Sequence, residues 1–321
     1  MGLATKTAPV CVTLDERLGR YGFGAGHPFG PDRLACFVHA MQQAGLDRQV
    51  CRLPLRQATV AEIQRFHSAE HVARVQALSQ AGSGWLDAGD TPAFAGVFEA
   101  AAGVVGSVLE ALDRLLGGHC PRAFVPIAGL HHARRDAAAG FCVFNDCGVA
   151  IETLRRRHGI RRIAYVDIDA HHGDGVFYAY EEDPELIIAD LHQDGRTLYP
   201  GTGAAGETGR GPARGSKLNI PAPPGAGDAF FFQAWHRMEA FLDAAAPEFI
   251  ILQCGADSLA GDPLAGLQFS AAAHAHACAR LCRLAERHAH GRLLGLGGGG
   301  YNRHNLATAW TAVVRAMLQH S

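Results

Sequence analysis

Apolar positions fall into two patterns along the chain. Short, nearly continuous apolar runs occupy 10–14, 123–126, 162–168, 186–191, 218–220, 249–253 and 292–296. Runs of this length read as strands, and those at 162, 249 and 292 lack polar alternation, as strands covered on both faces do. Longer segments with helical spacing lie between and around them, at 31–44, 70–79, 93–116, 147–157, 229–244, 270–288 and 305–318. Strand and helix in alternation predict an α/β fold, a mostly parallel sheet with helices on both faces. No Pro/Ser-rich linker, internal repeat or charge block divides the chain, so 1–321 reads as a single domain. The glycine-rich stretch 199–216 reads as a long loop, and such loops in compact domains are often functional.

Composition narrows the classes. Of 321 residues, 48% are hydrophobic and 19% charged, which permits a large core and excludes wholesale disorder. With 29 basic against 31 acidic side chains, the chain lacks the basic excess of a protein that binds nucleic acid through bulk charge. Its only lysines are Lys6 and Lys217, both read as loop residues, so Schiff-base chemistry has two candidates. Nine scattered cysteines form no disulfide framework and suit a reducing compartment. Residues 1–20 carry no apolar stretch of signal-peptide length. No apolar run approaches the roughly 18 residues of a membrane helix. The expectation is a cytoplasmic protein with neither nucleic-acid nor membrane partner.

In open parallel sheets, ligands bind beyond the carboxyl ends of the strands, and titratable residues gather there. Asp167, Asp169 and His171 follow one another at i, i+2 and i+4. On an extended backbone all three face one side, where they are costly unless paired or metal-bound. Asp169 and His171, with Asp257 after another strand, suit zinc: three protein ligands and an open position form the catalytic pattern. His131 and His132 lie in a loop, and Asp167 and Asp174 are left over to fix their tautomers. Tyr301 follows four glycines, where its hydroxyl could donate to an oxyanion. Gly295–Gly300 matches a dinucleotide fingerprint, but no acid follows it, the last being Glu286. His274, His276, Cys278 and Cys282 read as one partly exposed helical face.

Five stretches together resemble the histone deacetylase family, in its bacterial-type form. They are GLHHARRDAAAGFCVFND (129–146), YVDIDAHHGDGV (165–176), LYPGTG (198–203), QCGADSLAGDP (253–263) and GLGGGGYN (295–302). The resemblance implies the arginase–deacetylase fold and a zinc-dependent amidohydrolase acting on acyl-lysine. It implies one Zn²⁺ on Asp169, His171 and Asp257. It makes His132 the general base and acid, helped by His131, with Asp174 and Asp167 behind them. Tyr301 would polarise the acyl carbonyl. Phe141 and Tyr199 would flank the acyl-lysine tunnel, with Leu264 at its mouth, Asp90 on its rim, and Gly140 and Gly299 among the substrate-binding residues. Arg33 matches an internal-channel arginine. Asp190 stands where many members carry a hydroxyl residue that helps bind a structural potassium ion, which leaves K⁺ open.

Three functions follow from these residues: a deacylase of acyl-lysine or of small acylated amines such as acetylpolyamines, a two-manganese ureohydrolase, and a non-catalytic acyl-lysine binder. The second wants more carboxylates, and Gly173 stands where an acid would help. The full catalytic set argues against the third.

Overall fold

The computed structural model describes residues 9–24 and 26–320; Lys6 lies outside them. Eight strands form one sheet: β1 (Val10–Thr13), β2 (Cys51–Leu53), β3 (Arg122–Val125), β4 (Ile163–Asp167), β5 (Leu186–Gln193), β6 (Lys217–Ala222), β7 (Phe249–Gln253) and β8 (Leu293–Leu296). Their order is β2-β1-β3-β8-β7-β4-β5-β6, and each neighbouring pair is parallel. The sheet is therefore wholly rather than mostly parallel.

Among the described residues nine helices cover it: α1 (Asp32–Gln43), α2 (Val60–Ile63), α3 (Ala69–Ala81), α4 (Val97–Leu116), α5 (Asp146–His158), α6 (Asp174–Ala179), α7 (Asp228–Ala245), α8 (Ala271–His288) and α9 (Arg303–Gln319). One packed set runs α1, α9, α8, α7, and another runs α3, α4, α5, α2. β4, β7 and β8 are buried along their whole length, which explains their unbroken apolar sequences.

Four sequence expectations change. β2 was not expected: it is three residues long at the sheet edge, with Cys51 and Arg52 exposed. The helix expected from residue 93 begins at Val97, because Gly96 takes φ 89° as its N-cap, a conformation that suits glycine. Lys217 is not in a loop. It opens β6, buried, and its ammonium donates to the carbonyls of Asp183 and Leu186 and to Ser216 Oγ. On α8, His274, Cys278 and Cys282 are buried rather than partly exposed. No helix of the described residues is long and apolar enough to cross a membrane.

The register aligns polar residues at the carboxyl edge. Gln253 of β7 and Asp190 of β5 both pair with Asp167 of β4. Three polar side chains thus stand in one row on three adjacent buried strands, and the loops beyond them build the site.

Candidate active site

His131 and His132 are buried in the loop after β3. Asp146 fixes that loop by accepting the Gly129 and Leu130 N–H groups at 2.8 and 3.0 Å. Asn145, the N-cap of α5, donates to the carbonyls of His131 and Ala133. His131 Nδ1 lies 2.8 Å from Asp167 Oδ2, and His132 Nδ1 lies 2.7 Å from Asp174 Oδ1. Both histidine–carboxylate pairs expected from the sequence are therefore assembled.

Their electrostatics differ. Burial disfavours charge on His131, but Asp167 and Asp169 outweigh it and lift the imidazole to about 10. Burial, followed by the charge on His131, pushes His132 down to about 4 despite Asp174. At neutral pH His132 is the neutral member. With its Nδ1–H donated to Asp174, its Nε2 carries the lone pair and faces His131 Nε2 at 3.1 Å.

Asp169, His171 and Asp257 converge. Their ligand atoms lie within 4.8 Å of one another, the only such group of three among the described residues. The period-two argument holds only as far as Asp167. β4 ends there, and Asp169 and His171 sit in the bend that follows, where Asp169 Oδ1 accepts the His171 N–H at 2.9 Å. Two backbone N–H groups and one side-chain amide then occupy the outward oxygens. Asp169 Oδ2 accepts from Gly299 N and from Gln253 Nε2, each at 2.9 Å, and Asp257 Oδ1 accepts from Ala170 N at 2.9 Å. Asp169 Oδ1 and Asp257 Oδ2 face the imidazole, 3.1 and 3.2 Å from His171 Nδ1.

Two buried carboxylates facing one imidazole nitrogen demand positive charge. Accordingly, His171 is lifted to about 10 against the effect of burial, by Asp169 and Asp257. Asp257 rises to about 7 through burial and its neighbour's charge. Glycine is required around this cradle. A Cβ on Gly299 would stand 2.0 Å from Asp257 Oδ2, and one on Gly255 would stand 1.9 Å from Asp169 Oδ2. This donor set, two carboxylates and one imidazole, fits a zinc ion.

A small cavity of about 20 Å³ is lined by His132, His171, Gly140, Gly299, Leu130 and Tyr301, among others. The Tyr301 ring lies 5.8 Å from that of Phe141, edge on, and Asp262 holds the Tyr301 N–H at 2.8 Å. Phe141 itself has φ 68°, fixed by Tyr21, whose hydroxyl donates to its carbonyl, and by Thr91 Oγ1, which accepts its N–H. Gly140 admits no side chain, since a Cβ would approach His132 Cδ2 to 2.7 Å. Tyr199 stands 5.0 Å from the His132 ring and is 44% exposed, and Leu264 is 39% exposed. Arg33 is fully buried, donating to the carbonyls of Gly300 and Gly298, with its guanidinium 4.0 Å from the Phe29 ring. Asp90 is exposed six residues before the Gly96 cap, so it does not open a helix. Its N–H is held by Asp87, and its carbonyl faces His27 Nε2.

Gln253, Asp262, Tyr165 and Asp87 were not singled out from the sequence. The Tyr165 hydroxyl donates to Asp167 Oδ2 at 2.6 Å. Asp190 pairs with His192 Nδ1 at 2.6 Å and accepts the Gly173 N–H at 3.0 Å. Both its oxygens are engaged within the chain, and the potassium expectation gains no support from it.

A wholly parallel sheet with a carboxylate-backed histidine pair beside an Asp-His-Asp cradle defines a hydrolase of the deacetylase type, and the comparisons give the family. The Histone deacetylase domain family model matches residues 27–317, and the chain belongs to that family. It is 33% identical over 307 residues to the acetoin utilization protein AcuC of Bacillus subtilis, covering 92% of this chain and 77% of that protein. It is 35% identical over 298 residues to a histone deacetylase-like amidohydrolase of Pseudomonas aeruginosa, covering 91% and 77%. Among solved structures, the HDA15 HD domain superposes with a TM-score of 0.89 at 30% identity, covering 98% of this chain and 89% of that one.

Proposed function

We propose that this chain hydrolyses the amide bond of acylated lysine side chains in proteins or peptides, with one zinc ion held by Asp169, His171 and Asp257. The observation that carries the reading is the placement of neutral His132, backed by Asp174 at 2.7 Å, beside the three converging ligand atoms. Zinc bound there supplies a Lewis acid to the acyl carbonyl and to the attacking water. The chain's own residues do the rest. His132 Nε2 takes the proton as the water oxygen forms the new C–O bond. The same nitrogen returns a proton to the departing amine as the C–N bond breaks. Tyr301 donates to the carbonyl oxygen as negative charge builds on it. The products are a carboxylate and the free lysine amine.

Small acylated amines are the second reading, and Asp90 separates the two. Its exposed carboxylate suits the backbone N–H groups that flank an acyl-lysine in a peptide and that a polyamine lacks. The test is a panel of acetyl-lysine peptides and acetylpolyamines with purified protein of measured metal content. One zinc per chain and turnover of the peptides, reduced by Asp90→Asn about tenfold or more in kcat/KM, is the expected result. Turnover confined to polyamines would overturn the lysine reading, and full activity in metal-free protein would overturn the zinc reading.

A further inference from the structure

We infer that the preferred substrate carries a carboxylate close to the acylated amine and that Arg134, with Arg74 of the same groove, receives that group. The inference rests on the acyl-lysine reading and specifies its substrate class.

Beside the tunnel mouth lies a second groove of about 430 Å³, lined by Arg74, Asp87, Asp90, Arg134, Gly140 and Tyr199, among others. Tyr199 is the partition. Its ring stands 5.0 Å from that of His132, and it also lines the groove. A group resting there is therefore about one aromatic ring away from the reacting amide.

The four charged side chains of the groove are committed to different degrees. Asp87 is fully engaged. Its Oδ1 accepts the N–H groups of Gly89, Asp90 and Thr91 at 3.0, 2.9 and 2.8 Å, and its Oδ2 accepts the Thr91 hydroxyl. These bonds hold the 87–91 turn and leave Asp87 little capacity for a substrate. The Asp90 carboxylate is exposed and accepts no hydrogen bond from the described residues. Arg74 is exposed and donates to the Trp85 carbonyl at 3.0 Å, with no acidic partner among the described residues. Arg134 is exposed, and its guanidinium makes no hydrogen bond or ion pair with the described residues, while its backbone N–H is bonded to the Ala137 carbonyl. The next residue is the contrast: the Arg135 guanidinium pairs with Glu152 at 3.3 Å and lies 4.5 Å from the Phe66 ring.

The uncommitted groups of the groove are thus two guanidinium cations and one carboxylate. A guanidinium presents a planar fork that matches a carboxylate. An acyl-lysine peptide with an acidic neighbour satisfies all three, giving backbone N–H groups to Asp90 and its carboxylate to Arg134 and Arg74. A free acyl-lysine offers the same chemistry through its α-carboxylate. A polyamine offers only cations, which suit Asp90 but leave Arg134 and Arg74 without a partner.

The test compares kcat/KM of the zinc-loaded protein on acetyl-lysine peptides differing only in whether the neighbouring residue is Asp, Ala or Lys. A second arm compares Nε-acetyl-lysine with its α-amide. Exposed ion pairs are weak, so each change of neighbour should alter kcat/KM by about 1.5- to fivefold, in the order Asp over Ala over Lys. The ratio of Asp to Lys peptide should fall towards unity in Arg134→Gln, invert in Arg134→Glu, and shrink at about 0.5 M salt. An advantage confined to the free α-carboxylate of acetyl-lysine supports the inference and identifies the source of the carboxylate. Turnover of the Ala peptide with no preference for a carboxylate in either arm overturns the inference and leaves the deacylase reading standing. No turnover of any acyl-lysine compound removes both.

Discussion

His131 and His132 meet through their Nε2 atoms at 3.1 Å, while their Nδ1 atoms point at separate carboxylates. One proton between the two Nε2 atoms makes one ring a donor and the other an acceptor. Asp167 and Asp169 hold the charge on His131, which leaves His132 as the base.

Asp174→Asn should therefore weaken His132 without touching the metal cradle. Removing the counter-charge behind a histidine base should lower kcat about 10–100-fold, and His132→Ala about 10²–10⁴-fold. Both variants should retain one metal per chain. Steady-state kinetics beside metal analysis checks this, and a kcat for Asp174→Asn within about twofold of wild type would take Asp174 out of the proton path.

The cradle should fail by chemistry or by crowding alike. Asp169→Ala, His171→Ala and Asp257→Ala each remove one of three ligands, and each should leave the purified protein with well under one zinc per chain. Gly299→Ala keeps all three ligands but forces a methyl to within 2.0 Å of Asp257 Oδ2. It should lose metal in the same way while keeping a wild-type circular dichroism spectrum. Undiminished zinc in Gly299→Ala would show that the loop gives way.

Tyr301→Phe removes a hydroxyl that makes no hydrogen bond to the described residues, so stability should change little. The loss should appear in kcat, at about 10²–10³-fold, the usual effect of deleting one oxyanion donor. An unchanged kcat would assign Tyr301 to packing against Phe141 and Arg33.

Lys217 gives a prediction independent of catalysis. Ser216 Oγ already donates to the Ala213 carbonyl, so Lys217 must donate to all three of its acceptors, which requires the ammonium form. Burial lowers its pKa from 10.5 to about 8. Between those values the unfolded chain binds the proton and the folded chain has released it, so this group's contribution to stability rises with pH across the window. Relative to Lys217→Met, wild type should gain stability between about pH 8 and pH 10.5, on the order of 3 kcal/mol at most. Urea unfolding of both proteins at the two pH values measures it, and parallel pH dependences would refute it.

Much of this site was legible in the chain because chemistry sat at the ends of apolar runs. Asp167 and Gln253 close β4 and β7, Asp190 lies level with them on β5, and the register that aligns them follows from burial of both sheet faces. What escaped was side chains whose role appears only across the fold. Gln253 reads as the polar end of a strand until β7 pairs with β4. Asp262 reads as a turn residue until its Oδ2 is seen holding the Tyr301 N–H from 39 positions away. The short helix α6 escaped because its first residues, Asp174 and Gly175, read as loop. Gly175 is nonetheless required, since a Cβ there would meet the His131 and Ala133 carbonyls at 2.5 Å.

Gln253 also ties the two halves of the site together. Its amide nitrogen lies 3.2 Å from His131 Nδ1, 3.1 Å from the Gly129 carbonyl and 2.9 Å from Asp169 Oδ2, and its oxygen takes the Gly255 N–H at 2.7 Å. Proton transfer and ligand geometry are therefore not separable modules. A substitution at His131 is felt at the cradle, and one at Asp169 is felt by His131, so their free-energy effects should not add in a double mutant. Variation at either half is then conditional on the other, and the two are expected to change as a unit or not at all.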